Sequence, residues 1–219
     1  MTNAPLVSVI IPTLNRAGLI GRALSSVRSS AYPNIETLVV DQESDDGTTS
    51  LVDSQGFRHI TEHVRGAGRA RKAGLAQTSG ELVLFLDSDD WLTEHAIAML
   101  VEALSSPRVD FAYGGSQASH LDEFGNSHSS DDGIQFAPLT SASLIRRSAF
   151  ARFGEFDDDN FSWPRWVIEA REAGLSSRCL SAVVCHRGIH SENVSKQTGA
   201  TKELFALVRN HRSRQTRDQ

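Results

Sequence analysis

The chain has 219 residues, 39% of them hydrophobic and 22% charged, which allows one large α/β domain or two small ones. The net charge of −5 argues against a nucleic-acid partner, because such partners are held mainly by Lys and Arg contacts to phosphates. No apolar run approaches the roughly 20 residues that span a bilayer, and the N-terminus lacks the features of a secretion signal. We therefore predict a soluble, cytoplasmic protein.

Strand and helix patterns alternate in the first half of the chain. Runs rich in Val, Ile and Leu predict strands, and segments with apolar residues three and four apart predict helices between them. Alternation with short links implies a parallel, doubly wound α/β sheet. The predicted order is strand 6–13, helix 17–30, strand 35–42, helix 48–55, a weaker strand 57–64, helix 66–80, strand 81–90, and helix 93–106 with Thr93 as its cap.

The second half is less regular. A strand at 109–119 is followed by a hairpin or long loop rich in Gly, Asn and Asp. Residues 142–174 predict a short strand, a helix, an acidic loop and a second helix that ends at Gly174. Another strand follows at 177–187. Cys179 and Cys185 in this strand are expected on one face, buried, reduced and too far apart to bridge.

Three acidic clusters follow predicted strands or loops: "DQESDDGT", "DSDD" and "FDDDN". The carboxyl ends of parallel strands share one edge of a sheet, and open α/β sheets bind their ligands there. We therefore expect Asp41 and Asp87 to face a common crevice.

The "DSDD" cluster suggests a metal site. In an extended segment Asp87 and Asp89 point to the same side and can present two oxygen ligands to Mg²⁺ or Mn²⁺, with water and phosphate oxygens filling the other positions. Such an ion would let an acidic protein bind a phosphate-bearing ligand. Alternatively, Asp89 and Asp90 only favour the N-terminus of the following helix.

The segments "VSVIIPTLNR", "LVVDQESDDGT", "GAGRARKAG" and "GELVLFLDSDDW" occur in the order seen in family 2 glycosyltransferases. The chain resembles that family closely over residues 7–104 and more weakly to about residue 195. The resemblance implies a GT-A fold, which is a doubly wound, mostly parallel sheet with helices on both faces and a smaller mixed acceptor-side region.

The resemblance also implies a division of the chain. Residues 1–195 would form a single GT-A-like domain, with 1–92 as the nucleotide-sugar-binding half and 93–195 as the acceptor and catalytic half. Residues 196–219 would form a C-terminal helix and a basic tail. The arginines of this tail suggest a weak peripheral contact with anionic lipid, although most basic tails are simply solvated.

The implied nucleotide site begins at the first strand and its turn. Pro12 and Thr13 would lie beside the nucleotide, and Asn15 and Arg16 would open the first helix close to it. Asp41 would accept a hydrogen bond from the base, a uracil N–H, which makes a UDP-sugar the expected donor.

Three further residues would complete this pocket. Ser44 and Asp46 would shape it, and Arg71 would approach the base or the phosphates from the third helix. The alternatives are a helix cap for Asp46 and a solvated surface charge for Arg71. The chain departs from the family at Gln42 and Glu43, where family members have a second Asp and then Gly, and this change is expected to alter base or sugar preference.

The implied metal site centres on the "DSDD" cluster. Asp87, with Ser88 next to it, would lie near the ribose and the metal, and Asp89 would ligate the metal across the pyrophosphate. The segment "HRGIHSENVSK" resembles the family's Y-R-x-H-x-x-N-x-S segment with one residue inserted. His190 would then be a third metal ligand or a pyrophosphate contact, with a surface histidine as the alternative.

An inverting sugar transfer needs a general base to take the proton of the acceptor hydroxyl, and a carboxylate suits this task. Family members carry a Glu-Asp pair about a dozen residues before the Gly that ends the last long helix, and Ser162 and Trp163 stand there in this chain. We predict that Asp158 or Asp159 supplies the carboxylate instead. Alternatively, the acidic loop is only a solvated turn.

The resemblance predicts a metal-assisted, inverting, hexosyltransferase-like enzyme of polysaccharide or glycoconjugate biosynthesis. It would move a sugar from a nucleotide sugar to an unidentified acceptor hydroxyl, with Mn²⁺ or Mg²⁺ as cofactor. The missing pair leaves open a non-catalytic nucleotide-sugar-binding protein derived from such an enzyme. Trp91, Trp163 and Trp166 are candidates for stacking on a sugar, with burial at the sheet as the alternative for Trp91.

Overall fold

The computed structural model describes residues 4–121, 126–129, 132–159 and 162–190, which form one ten-stranded sheet with helices on both faces. The strands are β1 (Val7–Thr13), β2 (Ile35–Asp41), β3 (Arg58–Thr61), β4 (Leu82–Phe85), β5 (Trp91–Leu92), β6 (Phe111–Leu121), β7 (Ser127–Ser129), β8 (Gln135–Phe136), β9 (Ser143–Arg146) and β10 (Ser177–Ile189). The helices are α1 (Ile20–Arg28), α2 (Thr48–Ser54), α3 (Ala67–Ala76), α4 (Ala96–Ala103), α5 (Ser148–Phe153) and α6 (Ser162–Glu172), with a 3₁₀ turn at Thr140–Ala142.

The parallel part of the sheet has the order β3-β2-β1-β4. β1 lies in its middle and pairs with β2 from Val7 opposite Ile35 to Thr13 opposite Asp41. Consecutive β1 residues enter different cores, Val9 and Ile11 on one face and Ile10 on the other. Burial on both faces explains why the strand is a continuous apolar run. The predicted doubly wound parallel sheet is confirmed.

β9 joins this parallel part to a mixed part of the sheet. It runs antiparallel to both β4 and β6, while β10 is parallel to β6 and β5 is antiparallel to β10. The full order is β3-β2-β1-β4-β9-β6-β10-β5, with β7 and β8 paired to β6. The expected mixed region in the second half of the chain is therefore present.

Each face of the sheet carries its own core. On one face α1 and α4 bury Ile20, Leu24 and Ile97 against the sheet. On the other face aromatic rings from β4, β6, α5 and α6 pack edge-to-face and tilted, including Trp163 and Trp166. Both tryptophans are at most 5% exposed, and their indole N–H groups donate to backbone carbonyls. The interpretation of these two residues as sugar-stacking groups is wrong, because they belong to the core.

The short strand β5 was not apparent in the sequence and changes the start of the next helix. It pairs with β10, so Thr93 donates its N–H to Val184 O at 3.0 Å and its hydroxyl to Val183 O at 3.3 Å. α4 begins at Ala96 with His95 as its N-cap residue. The prediction of Thr93 as a helix cap is wrong, because the neighbouring strand takes its hydroxyl.

The two cysteines lie in different environments. Both thiols are free, as predicted, but Cys179 is exposed and Cys185 is buried. The pairing of β10 with β6 shifts register twice between these positions, and each irregularity interrupts the alternation of faces along the strand. The expectation that both would be buried on one face is therefore wrong. Burial raises the pKa of the Cys185 thiol well above its ordinary value.

The predicted C-terminal helix and basic tail, residues 196–219, lie outside the described residues, and the proposed lipid contact stays a prediction. The division at residue 92 into a nucleotide half and an acceptor half also stays a prediction. In the described part of the chain, no helix has the length and apolar character needed to cross a membrane.

Glu36 in β2 joins that strand to the segment before β4. Its carboxylate accepts hydrogen bonds from the Ser79 N–H at 2.6 Å, the Gly80 N–H at 2.7 Å and the Ser8 hydroxyl at 2.7 Å. Partial burial raises the pKa of Glu36, but these donors outweigh burial and hold the pKa below its ordinary value of 4.5. The ionised carboxylate therefore stabilises the fold above pH 4.5, and this contribution is lost as the pH falls through the lowered pKa.

We expect Glu36→Gln to lower the free energy of unfolding by about 1 kcal/mol or less at pH 7, because the carboxylate is only partly buried. Below pH 4.5 the difference from the wild type should shrink, since the wild-type carboxylate is then being protonated. Urea unfolding between pH 3 and pH 7 measures this, with Glu102→Gln on an exposed helix position as the control. A difference that does not change with pH would contradict the assignment.

Candidate active site

The carboxyl ends of three parallel strands form one edge of the sheet. β2 and β4 flank β1, and their pairing continues past the strands through hydrogen bonds from Gln42 N–H to Thr13 O and from Leu86 N–H to Ile10 O. Thr13 therefore lies beside Asp41. Asp87 comes two residues after the end of β4, on the other side of β1. Asp41 and Asp87 therefore lie at the same edge of the sheet, and a common crevice between them stays a prediction.

Asp41 organises the loop after β2. Its carboxylate accepts the Ser44 N–H at 2.9 Å and the Ser44 hydroxyl at 2.5 Å, and it is 2% exposed. Ser44 Oγ in turn accepts the Asn15 N–H at 2.8 Å, and Asn15 Oδ1 accepts the Asp45 N–H at 3.0 Å. Asn15 has a φ of 51°, a left-handed conformation that Asn tolerates better than most residues. The turn after β1 is thereby joined to the loop after β2.

Asp46 makes a second connection between these loops. Its carboxylate accepts the Ala17 N–H at 2.9 Å and both the N–H and the hydroxyl of Thr48, and Thr48 Oγ1 accepts the Arg16 N–H at 2.8 Å. Burial raises the pKa of Asp46, but the bonds from Thr48 and Ala17 outweigh it and lower the pKa. Asp46 thus fixes the starts of two helices. Arg16 also donates to Asn15 O, and Pro12 lies opposite Val40.

Gln42 has a structural task where the family has an acidic residue. It is buried, and its side-chain amide donates to Val64 O at 2.9 Å and to Gly66 O at 3.2 Å. A carboxylate in this place would accept hydrogen bonds only and could not bind these carbonyls. The departure from the family pattern therefore fixes the segment before α3 against the edge of the sheet.

Arg71 on α3 faces the "DSDD" turn. It is 5% exposed, and its Nη2 donates to Asp87 Oδ1 at 3.0 Å. The other carboxylate oxygen of Asp87 accepts the Thr140 hydroxyl at 2.7 Å, and the Asp87 N–H donates to Ser141 Oγ at 3.1 Å. The alternative that Arg71 is a solvated surface charge is wrong. Thr140 and Ser141 were missed because "LTSAS" carries no periodic pattern and lies far along the chain.

Buried polar atoms without a partner lie at this edge. Among the described residues, Thr13 Oγ1 and the Nε and Nη1 atoms of Arg71 have no hydrogen-bond partner. A buried donor left unsatisfied destabilises a protein by about 1–3 kcal/mol. Thr13 stands next to Asp41, and Arg71 binds Asp87. These atoms are suited to a ligand that presents hydrogen-bonding groups between the two aspartates.

The "DSDD" segment is a turn and not extended chain. The Asp90 N–H donates to Asp87 O at 3.0 Å, and Ser88 in the turn is buried. The expected extended geometry is wrong, because Asp87 binds Arg71 and Thr140 while Asp89 meets His190. α4 begins at Ala96 with no side-chain cap hydrogen bond and no acidic residue in its first turn, so neither Asp89 nor Asp90 caps this helix.

His190 follows β10 and lies against Asp89. Its Nε2 is 2.9 Å from Asp89 Oδ2, and the two side chains are 10% and 19% exposed. Over the described residues, no group of three His, Cys, Asp or Glu side chains converges as a metal site. The Asp89 carboxylate suits Mg²⁺ or Mn²⁺, and the His190 imidazole suits a transition-metal ion such as Mn²⁺; water and phosphate oxygens would fill the other positions.

A cavity of about 440 Å³ adjoins Asp89 on the side of α1. Arg22 lines it, and its guanidinium lies 4.5 Å above the ring of Trp91, which stacks on His186. The other lining residues are Ala17, Gly18, Leu19, Gly21, Ser25, Leu121 and Asn126. The cavity is therefore lined by the Arg22 guanidinium, which Trp91 holds in place, and by residues at the start of α1.

The acidic loop packs against the start of α3. Gly68 donates its N–H to Asp159 O at 3.2 Å, and a Cβ at Gly68 would lie 2.0 Å from Asp157 O, so only glycine permits this approach. Asp158 forms an ion pair with Lys72, whose hydrogen bond lowers the pKa of Asp158. Arg165 Nη2 lies 2.8 Å from Asp159.

The positions of the family's Glu-Asp pair lie in the core. Ser162 is 1% exposed and Trp163 is 5% exposed, at the start of α6. Neither residue carries a carboxylate, and Trp163 packs on Phe85 and Phe156. A general base, if present, has to come from another segment.

The fold, a mostly parallel α/β sheet with carboxylates at the carboxyl ends of its strands, is that of the GT-A glycosyltransferases. The sequence profile described as glycosyl transferase family 2 matches residues 8–167, and the chain belongs to that family. Solved structures show the same fold: a Pyrobaculum calidifontis mannosyltransferase in complex with GDP-Man and Mn²⁺ has a TM-score of 0.71 at 22% identity, over 88% of this chain and 59% of that one. TarS of S. aureus in complex with UDP-GlcNAc has a TM-score of 0.73 at 19% identity, over 94% of this chain and 65% of that one.

Curated relatives are also glycosyltransferases. AglE of Haloferax volcanii is 30% identical over 204 residues, which are 83% of this chain and 67% of AglE. WfgD of Escherichia coli, named as a glucosyltransferase acting on α-D-GlcNAc-diphosphoundecaprenol, is 35% identical over 113 residues, which are 50% of this chain and 45% of WfgD. The chain therefore spans two thirds of one relative and less than half of the other.

We expect Thr13→Val to leave the free energy of unfolding unchanged or slightly higher, because the lost hydroxyl has no partner in the unliganded protein. The same change should weaken UDP binding about five- to tenfold through loss of one hydrogen bond. Urea unfolding and calorimetry with UDP measure the two effects. Ser26→Ala on α1 is the control, since its hydroxyl accepts the Leu92 N–H and its loss should affect stability but not UDP. Unchanged UDP affinity in Thr13→Val would contradict the placement of the ligand.

Proposed function

We propose that this protein transfers a sugar from a UDP-sugar to an acceptor hydroxyl, with inversion at the anomeric carbon. The observation that supports it best is the meeting of Asp89 and His190 at the sheet edge where Arg71 and Thr13 carry buried polar atoms without a partner. An acidic edge alone would repel a diphosphate. An edge with two ligands for a divalent ion and a buried arginine can bind a diphosphate, because the ion and the guanidinium offset its negative charge.

In this proposal the base of the donor lies over the loop after β2. Asp41 accepts the uracil ring N–H, and its orientation is fixed by the two bonds from Ser44. Thr13 and Arg71 donate to the base carbonyls or the phosphates, while Pro12, Asn15 and Arg16 border the nucleotide. Asp46 has an indirect part, since it holds the loop together.

Asp89 and His190 would hold Mn²⁺ or Mg²⁺, and Asp87 and Ser88 would stand on the ribose side of the ion. When bound, the ion neutralises charge on the diphosphate leaving group. Arg22 and the first turn of α1 add positive potential at the cavity next to Asp89, where that group gains negative charge. Release of the nucleoside diphosphate is thereby favoured.

The acceptor side of the proposal depends on the acidic loop. Asp159 is the stronger candidate for the general base, because Lys72 lowers the pKa of Asp158 and makes that carboxylate a poorer proton acceptor. Arg165 holds Asp159 in place at 2.8 Å. By extension from the acceptor in the name of WfgD, we infer a saccharide on a lipid diphosphate as the class of acceptor.

One observation favours a second candidate function. The positions of the family's Glu-Asp pair are core residues, and both acidic-loop carboxylates are paired with cations. A protein with this loop would bind a nucleotide sugar without transferring it. Slow hydrolysis of UDP-sugars with Mn²⁺ distinguishes the two functions, because a binding protein would show metal-dependent binding and no turnover with any donor or acceptor.

Asp89→Asn should weaken Mn²⁺-dependent UDP binding by at least about tenfold, because an amide is a much poorer ligand for a hard cation than a carboxylate. Calorimetry with UDP, with and without Mn²⁺, measures this loss. Asp45→Asn, an exposed position in the loop after β2, is the matched control and should keep the wild-type affinity. Equal Mn²⁺-dependent affinity in wild type and Asp89→Asn would remove the metal assignment.

Asp159→Asn should lower the transfer or donor-hydrolysis rate about 10²- to 10⁴-fold with little change in UDP affinity, as expected for a general base. Asp158→Asn in the same loop should have a much smaller effect, because the hydrogen bond from Lys72 lowers the pKa of the Asp158 carboxyl and makes it a poorer proton acceptor. Initial rates of UDP release at saturating donor compare the two variants. Equal rates in wild type and Asp159→Asn would exclude Asp159 as the base.

A further inference from the structure

Each end of β10 is hydrogen-bonded to a different buried aspartate. Just before its start, the Ser176 N–H donates to Asp110 Oδ2 at 3.2 Å. Near its end, the Gly188 N–H donates to Asp90 Oδ1 at 3.0 Å. Asp110 also has a cation partner, Arg152, at 2.6 Å, whereas the Asp90 carboxyl also makes a hydrogen bond with Ser141. Two similar side chains therefore hold opposite ends of one strand.

The end of β10 lies directly on the acidic turn. A Cβ at Gly188 would be 2.1 Å from Asp89 O, so only glycine allows the strand to approach this closely. The antiparallel pairing of Cys185 with Leu92 and of His186 with Trp91 directs the strand along this path. The backbone of Gly188 thus touches Asp89 while its N–H binds Asp90.

His190 follows Gly188 by two residues and contacts the same turn. Its Nε2 lies 2.9 Å from Asp89 Oδ2. Ser141 adds a third connection, because it bonds to the side chain of Asp90 and accepts the N–H of Asp87. With Gly188 fixed by Asp90, only Ile189 lies between the anchored residue and His190, which limits the positions that the imidazole can take.

We propose that Asp90 is a positioning residue whose bond to the Gly188 N–H fixes the end of β10, so that the His190 imidazole stays on Asp89. The consequence for a divalent ion rests on the proposed function, since it assumes that Asp89 and His190 ligate that ion. The position of the imidazole in the metal-free protein does not rest on it. Side chains that orient a metal ligand typically change metal affinity about 10- to 100-fold when removed.

The test compares four variants of the whole chain. Asp90→Ala removes the acceptor, and Asp90→Asn keeps an oxygen of the same shape that can accept the Gly188 N–H. Gly188→Ala forces the strand away from Asp89 O. Asp110→Ala is the matched control, because it removes the equivalent anchor at the other end of the same strand. If Asp90→Ala does not fold, Asp90→Ser replaces it.

Two measurements are made on each folded variant. The first is the side-chain ¹H–¹⁵N correlation of His190 in the metal-free protein, assigned by its disappearance in His190→Gln. The second is the dissociation constant for Mn²⁺ in the presence of UDP, followed by electron paramagnetic resonance. The first requires neither metal nor activity.

Asp90→Ala and Gly188→Ala should both shift the His190 signals and raise the Mn²⁺ dissociation constant about tenfold or more, whereas Asp90→Asn should stay within about twofold. Asp110→Ala should lower thermal stability without either change. Unchanged His190 signals in Asp90→Ala would overturn the proposal, and so would equal shifts in Asp110→Ala, which would indicate general loosening. If the wild type binds no Mn²⁺, the proposed function fails, and the His190 signals alone decide the positioning role.

Discussion

The parallel pairing of β1 with β2 on one side and β4 on the other is the constraint from which the site follows. Backbone hydrogen bonds along these strands set Thr13 beside Asp41 and bring the "DSDD" turn to the same edge. Because all three strands run in one direction, their polar ends cannot be dispersed to both edges of the sheet.

Negative charge at this edge is tolerated because almost every carboxylate has a donor. Ser44 satisfies Asp41, Arg71 and Thr140 satisfy Asp87, and Gly188 binds Asp90. Burial and the nearby charges of Asp89 and Asp87 raise the pKa of Asp90 well above its ordinary value, which favours its neutral form and reduces the repulsion within the turn. Among the described residues, the buried side-chain atoms without a partner next to Asp41 and Asp87 are the Thr13 hydroxyl and two N–H groups of Arg71, all of which can donate to an anionic ligand.

The aromatic core explains why the second half departs from the family. Trp163 and Trp166 fill the space between α6 and the sheet, and this packing occupies the start of the helix where family members place a carboxylate pair. The acidic loop instead lies across the first turn of α3, on Gly66 and Gly68. Replacing a polar helix start by packed aromatic rings gains buried apolar area, but it moves any proton acceptor into a loop.

The sequence by itself determined the parallel sheet, the order of its first strands and helices, and the edge at which Asp41 and Asp87 lie, because apolar periodicity and strand direction are local properties of the chain. The roles drawn from the family resemblance for these residues remain predictions. Only the tertiary structure decided that Asp87 and Asp89 have different partners, that Thr140 and Ser141 hold the turn, and that Trp163 and Trp166 are core residues. These contacts join segments separated by long stretches of chain. No local pattern encodes them, because they depend on how β9 and β10 pack beside the parallel strands.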